Sequence, residues 1–189
     1  VLTAFAPMGA CSNDGRTLAP VDPDYTTTSG TPVIDAGPEV SSAGSFRLAS
    51  EGFAAGAELP AQFTCAGAGV SPSLAWSEAP GGAELAVVMR ERDSVASVHW
   101  IVTGMDPALL GFGDGGVPEG AELQVNAAGE TAYLPPCPPA GSGTHLYDIV
   151  LHVLDEPLSF DPALRAPDLA ATIETASRAE APLTATVNA

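Results

Sequence analysis

The sequence predicts a mainly β fold: an antiparallel β-sandwich with a few short helices, one of them near the C-terminus. Three observations carry this expectation. The 189 residues include 18 prolines and 20 glycines, too many chain breakers for a helical bundle and well suited to short strands joined by turns. Three runs rich in β-branched and aromatic residues stand out, Leu85–Asp93, Val98–Thr103 and Leu146–Leu154. The connections between them are rich in proline, as in an antiparallel sandwich.

Taken in order, the folded unit is expected to start near Phe46, where Phe46, Leu48 and Ser50 alternate with Arg47, Ala49 and Glu51. Leu85–Asp93 is apolar on both faces in its first half, which predicts a central, buried strand. Val98–Thr103 follows as a second strand. Leu146–Leu154 is a third, with Tyr147, Ile149, Leu151 and Val153 on one face. Ser71-Pro72, Ala79-Pro80-Gly81-Gly82 and Asp106-Pro107 punctuate the chain as turns. The run Leu134-Pro135-Pro136-Cys137-Pro138-Pro139 has too few backbone donors for a central strand and is expected as a loop or an edge. Asp168 is placed to cap a short helix from Leu169 to about Ala179, with Leu169, Ile173 and Ala176 on one side. Leu183–Val187 then returns as a strand. No internal repeat is visible.

The chain divides into three expected parts. Residues 1–11 read as the remnant of a lipoprotein-type signal: an apolar run is followed by Gly9-Ala10-Cys11-Ser12, with small residues before a cysteine that would receive the lipid. An incidental free cysteine in a disordered N-terminus is the alternative. The apolar run is too short for a membrane span, which needs about 20 residues. Residues 12–45 are rich in Ser, Thr, Pro, Gly and Asp and read as a flexible linker, unable to bury enough surface to offset ordering entropy. Residues 46–189 form the domain. This organisation predicts an exported protein of the cell envelope or periplasm, attached to the membrane only through Cys11.

Charge narrows the partners. There is no lysine, and six arginines stand against 23 acids, for a formal charge of −17. A nucleic-acid polyanion would be repelled by most of such a surface, and no basic patch with interleaved aromatics is present.

Strand parity sorts the titratable groups. His145 and Tyr147 face the same way if their strand already includes His145, whereas His152 has the opposite parity and belongs elsewhere. Glu91 and Asp93 share one face at the end of the first strand, with Arg90 and Arg92 on the other. His99 opens the second strand. Strand ends under loops are where pockets are easily built. The neutral alternative for each histidine is a ring satisfied by backbone groups.

Four runs occur in order: Phe63-Thr64-Cys65-Ala66-Gly67-Ala68-Gly69-Val70-Ser71-Pro72-Ser73-Leu74-Ala75-Trp76, Val98-His99-Trp100, Pro136-Cys137-Pro138-Pro139, and Gly143-Thr144-His145-Leu146-Tyr147. Together they resemble the phosphatidylethanolamine-binding protein family, in particular its bacterial Raf-kinase-inhibitor-like branch, from about Phe46 to the C-terminus. The resemblance implies a β-sandwich with a small pocket for phosphate-type anions near one end. It implies that His99 is the histidine of the family's His-Trp step, and that His145 and Tyr147 belong to its Gly-x-His-Arg-Tyr motif. Glu91 and Asp93 fall on its Asp-Pro-Asp-x-Pro stretch, and Pro138 and Pro139 on its pocket wall. This chain departs from the pattern in two places. Asp-Pro-Asp is replaced by Glu91-Arg92-Asp93 with no proline after it, and Leu146 stands in place of the arginine. Cys65 and Cys137 each sit beside a pocket-forming loop. A disulfide between them is reasonable in an oxidising compartment, with two free thiols as the alternative.

Three functional classes follow. The first is a non-catalytic binding or regulatory protein, without a cofactor, for a small anion or phospholipid head group held by Glu91, Asp93, His99, Pro138, His145 and Tyr147. The second is a protease- or kinase-inhibitor-like module with a protein partner. The third is a metal-dependent enzyme using Glu91, His99 and His145 as a two-histidine, one-carboxylate set. Neither a Gly-x-Ser-x-Gly nor a His-Glu-x-x-His motif is present.

Overall fold

The structure is a computed structural model in which residues 45–189 are described. The signal remnant, Cys11 and residues 12–44 of the linker lie outside the described residues.

Two antiparallel sheets form the domain. A small sheet is built from β1 (Leu48–Ala49), β2 (Leu74–Trp76) and β5 (Gly111–Phe112), in the order β1-β2-β5. A larger sheet contains β3 (Glu84–Glu91), β4 (Val98–Met105), β6 (Glu122–Leu123), β7 (Thr144–Leu154) and β8 (Ser177–Asn188), in the order β6-β4-β3-β7-β8. The sandwich expected from the sequence is therefore present, and the run from Leu85 is its central strand. Both faces of β3 are covered, which explains why its apolar residues do not alternate with polar ones. Leu85, Val87 and Met89 pack towards the small sheet with Trp76, Trp100, Ile149 and Leu151. Ala86 and Val88 pack towards α1 (Ala166–Ala176) with Ile101, Leu169 and Ile173.

Several boundaries move from their expected places. The helix begins at Ala166, not Leu169, because Pro167 in its first turn is preset for helix and lacks only a donor that would be unpaired there. Arg165 takes the capping position, and Asp168 lies inside the first turn, where its charge suits the helix N-terminus. Ala176 is exposed; the buried side is Ala166, Leu169, Ala170 and Ile173. The last strand runs over Ser177–Asn188, more than twice its expected length, and pairs with β7 from Thr144↔Asn188 to Leu154↔Ser177. Pro182 within it is tolerated because β8 is the last strand of the sheet and its bonds to residues 56–59 on the outer side are made further along, at Thr184 and Thr186.

One irregularity positions the site. Along the β3–β4 pairing, Met89 faces Trp100 and Arg90 faces Val98, so His99 is the extra residue of a β-bulge. A bulge breaks strict alternation and re-aims a side chain. Trp100 points into the sandwich core and Val98 into the helix-side core. His99 is thereby free to line a cavity at the end of the sheet.

Candidate functional site

The end of β3, the start of β4 and the start of β7 meet at one end of the large sheet, where Glu91 is paired with Tyr147. There a cavity of about 230 Å³ is lined by Glu91 and Ser97, by His99, by Ala127 and Leu134, by Cys137, Pro138 and Pro139, and by His145 and Tyr147. The structure thus brings together Glu91, His99, Pro138, His145 and Tyr147. It does not bring Asp93 to them. β3 ends at Glu91, and the chain turns through residues 92–97, held by a bond from Ser94 N to Glu91 O. The two-residue parity that grouped Asp93 with Glu91 stops at that turn, and Asp93 is exposed outside the cavity. Arg90 and Arg92 do take the opposite side, pairing with Glu174 of α1 and with Asp148 of β7 respectively. The Arg92 guanidinium holds the Asp148 carboxyl below its usual range.

His99 is buried and fixed by its neighbours. Its Nδ1–H donates to Leu134 O at 2.8 Å, while Leu134 N–H donates back to His99 O at 2.8 Å. Burial lowers the pKa of the ring, partly offset by the Leu134 carbonyl and the charge of Glu91. The neutral tautomer carries its proton on Nδ1. Nε2 has no protein partner among the described residues and is not sealed from solvent. Tyr147 crosses His99 at 89°, with ring centroids 5.1 Å apart. Burial and then the charge of Glu91 push its hydroxyl up to about 12, so it stays a neutral donor.

His145 is held at both ends. Nδ1 lies 2.5 Å from Glu91 Oε1, and Nε2 lies 2.7 Å from Ser142 Oγ. Ser142 Oγ–H donates to Pro139 O at 2.6 Å, so its single proton is committed and it can only accept from His145. Both ring nitrogens of His145 therefore donate, one to a carboxylate and one to a hydroxyl.

The metal set considered from sequence does not assemble. Among the described residues no group of three or more His, Cys, Asp or Glu side chains is placed to hold a metal ion. Of the four imidazole nitrogens in the cavity, three are committed to Leu134, Glu91 and Ser142, which leaves one open nitrogen, His99 Nε2.

Cys65 and Cys137 form a disulfide with Cα atoms 5.3 Å apart. It ties the turn after the short 3₁₀ segment Ala61–Phe63 to the proline-rich wall, alongside a bond from Cys65 N to Pro136 O of 3.1 Å. The proline run is indeed a loop. His152 lies apart, buried on the helix side of β7, as parity required. Two other surface hollows, one beside Phe112 and one beside Leu110, each hold a single titratable side chain, Glu51 and Glu78. Sequence reasoning missed Ser97, Ala127, Leu134 and Ser142. The first three carry no motif, and Ser142 could have been noticed only as the polar residue of a Gly-Ser-Gly step beside His145.

Comparison with known proteins places the chain in a family. Residues 49–188 match the family model described as phosphatidylethanolamine-binding protein. A Mycobacterium tuberculosis protein named "Putative lipoprotein LppC" is 38% identical over 188 residues, spanning 98% of this chain and 90% of that protein. A UPF0098 protein of Methanothermobacter thermautotrophicus is 32% identical over 124 residues, covering 61% of this chain and 81% of its own length. The crystal structure of the phosphatidylethanolamine-binding protein homolog CT736 from Chlamydia trachomatis superposes with a TM-score of 0.65 at 29% identity, over 75% of this chain and 96% of that one. Escherichia coli YbcL shares the fold, with a TM-score of 0.69 at 23% identity over 76% of this chain and 98% of its own. By sequence and by fold, the chain belongs to the phosphatidylethanolamine-binding protein family.

Proposed function

We propose that this family member is a non-catalytic binding protein that takes a small phosphate-type anion, free or as a lipid head group, into the cavity between His99, His145 and Tyr147. The observation that carries this reading is the state of His99. Its Nδ1 is locked on Leu134 O while Nε2 is left open in a small cavity beside the free Tyr147 hydroxyl. An acid oxygen could give its proton to Nε2, or a fully ionised anion could draw a proton onto it, and either yields a charge-assisted bond. The cavity falls below the range of about 300–1,000 Å³ typical of drug-sized ligands, which suits a single tetrahedral anion. Glu91 would repel an anion, but its Oε1 is turned onto His145 Nδ1 at 2.5 Å.

Under the same proposal the protein is exported and anchored in the cell envelope through Cys11. The support is the Gly9-Ala10-Cys11 step and the lipoprotein name of the M. tuberculosis relative. A disulfide beside the cavity also fits an oxidising compartment.

The test is a titration with sulfate and with glycerophosphoethanolamine, followed through the histidine NMR signals. The expected result is movement of His99 with His152 unchanged. If neither His99 nor His145 responds, the pocket assignment fails. Detergent partition of the protein made in a bacterial host with its export signal checks the anchor: Cys11→Ser is expected to shift it from the detergent to the aqueous phase.

A further inference from the structure

We infer that Ser142 is a built-in occupant of His145 Nε2 beside the anion cavity, its hydroxyl making the bond to that nitrogen that a ligand oxygen takes on binding. This rests on the anion-pocket reading and deepens it. Ser142 Oγ lies 2.7 Å from His145 Nε2 and passes its own proton to Pro139 O at 2.6 Å. It is therefore a neutral oxygen acceptor, presented to a ring whose other nitrogen is paired with Glu91. An ionised phosphoryl or sulfuryl oxygen is a stronger acceptor for the same N–H, since bonds between ionised partners are about twice as strong as neutral ones.

The loop is built to let go. Ser142 is exposed and stands between Gly141 at φ 80° and Gly143 at φ 92°, conformations that ordinary residues resist. Beyond Gly143 the chain is pinned, by Ala189 N to Gly143 O and by Thr144 Oγ1 to Asn188 Oδ1. Displacing Ser142 therefore gives up its N–H bond to Pro139 O of 3.0 Å and moves the loop between Pro139 and Gly143, leaving β7 in place. With Ser142 gone, His145 Nε2 joins His99 Nε2 and Tyr147 Oη as a third group for one anion. A ligand must bring an acceptor oxygen to make the exchange, so the serine selects oxyanions over neutral or cationic molecules of similar size.

The order Ser142–His145–Glu91 also resembles the hydroxyl–imidazole–carboxylate relay of a hydrolase, but the proton runs the other way. His145 Nε2 donates to the serine and is no base for it.

The experiment compares wild type, Ser142→Ala and Ser142→Thr, using sulfate as the probe. In the sulfate-free proteins, ¹⁵N NMR of His145 is expected to show both ring nitrogens protonated, with the Nε2 proton protected from exchange in wild type and unprotected in Ser142→Ala. Sulfate is expected to bind Ser142→Ala about three- to tenfold more tightly, the worth of one competing hydrogen bond. Ser142→Thr restores the wild-type affinity and the protection. Equal or weaker binding by Ser142→Ala, with His99 still responding to sulfate, overturns the occupant role alone. No response of either pocket histidine in any of the three proteins overturns the pocket reading and this inference with it. Labelling of Ser142 by a serine-directed fluorophosphonate would show that His145 acts as a base, which also overturns it.

Discussion

His99 and Tyr147 meet at right angles with ring centroids 5.1 Å apart, and they come from strands that are not neighbours in the sheet. β3 runs between β4 and β7, so only the bulge at His99 lets the two rings touch across the end of the central strand. The contact holds His99 with one nitrogen on Leu134 O and the other towards the cavity.

That geometry fixes a pH dependence. Burial lowers the His99 pKa, so at neutral pH the free ring is uncharged. Sulfate carries no proton to donate, and its binding at Nε2 must be accompanied by proton uptake. Affinity is then expected to fall about tenfold per pH unit above the pKa of the free ring. Calorimetry in buffers of different ionisation enthalpy should give close to one proton taken up at pH 7. His99→Gln, which cannot gain the charge, is expected to bind about 10- to 100-fold more weakly and without that dependence. A pH-independent wild-type affinity would contradict the role of Nε2.

His152 governs stability in acid. It is buried on the helix side with neither ring nitrogen hydrogen-bonded; Glu180 Oε1 lies 3.4 Å from Nδ1, off bonding geometry. Burial, with the nearby positive charge of Arg90, pushes its pKa down from 6.5 to about 4. The unfolded chain therefore binds the proton more tightly. Stability from this group is fully present above pH 6.5 and is lost as pH falls from 6.5 to about 4. The loss amounts to about 3 kcal/mol. His152→Leu removes two unpaired nitrogens and is expected to flatten this part of the profile. Urea unfolding of both proteins at pH 7.5, 6 and 4.5 measures it, and parallel profiles would refute the assignment.

Strand parity read from the sequence separates His152 from His145 and Tyr147 because a period of two survives wherever the strand is regular, as it is from Thr144 to Val153. The same reasoning placed Asp93 beside Glu91 and was defeated by the turn at residue 92, since alternation carries no mark of where a strand ends. The bulge at His99 was equally invisible: one unpaired residue leaves composition and hydropathy unchanged. Apart from the alternation from Phe46 that meets β1, the small sheet was hidden for another reason. Its strands are two or three residues long, below the length at which any periodicity can be counted. The pocket histidines were legible through their motif, but Leu134 enters the site through its carbonyl, which every residue has.

Glu91 is expected to serve stability through His145. The pair is only about one-fifth exposed, so removing one partner leaves the other poorly solvated. Glu91→Gln keeps an oxygen for Nδ1–H but loses the charge, and a loss of about 1–2 kcal/mol is expected. A variant as stable as wild type would show that the 2.5 Å contact carries no energy.

The disulfide separates stability from binding. Cys65 and Cys137 are 72 residues apart in sequence, so the bond restricts a long loop of the unfolded chain. Replacing both by serine is expected to cost about 2–4 kcal/mol. The folded wall has other holds: Cys65 N to Pro136 O at 3.1 Å and the paired bonds between His99 and Leu134 at 2.8 Å each. Proline rings at 135, 136, 138 and 139 further limit what the loop can do once the sulfurs part. The double variant should therefore melt lower yet bind sulfate within about threefold of wild type at a temperature where both are folded. Denaturant midpoints give the first quantity and calorimetry the second. A binding loss above tenfold without a change in midpoint would reverse the assignment, making the bond a support of the pocket and not of the fold.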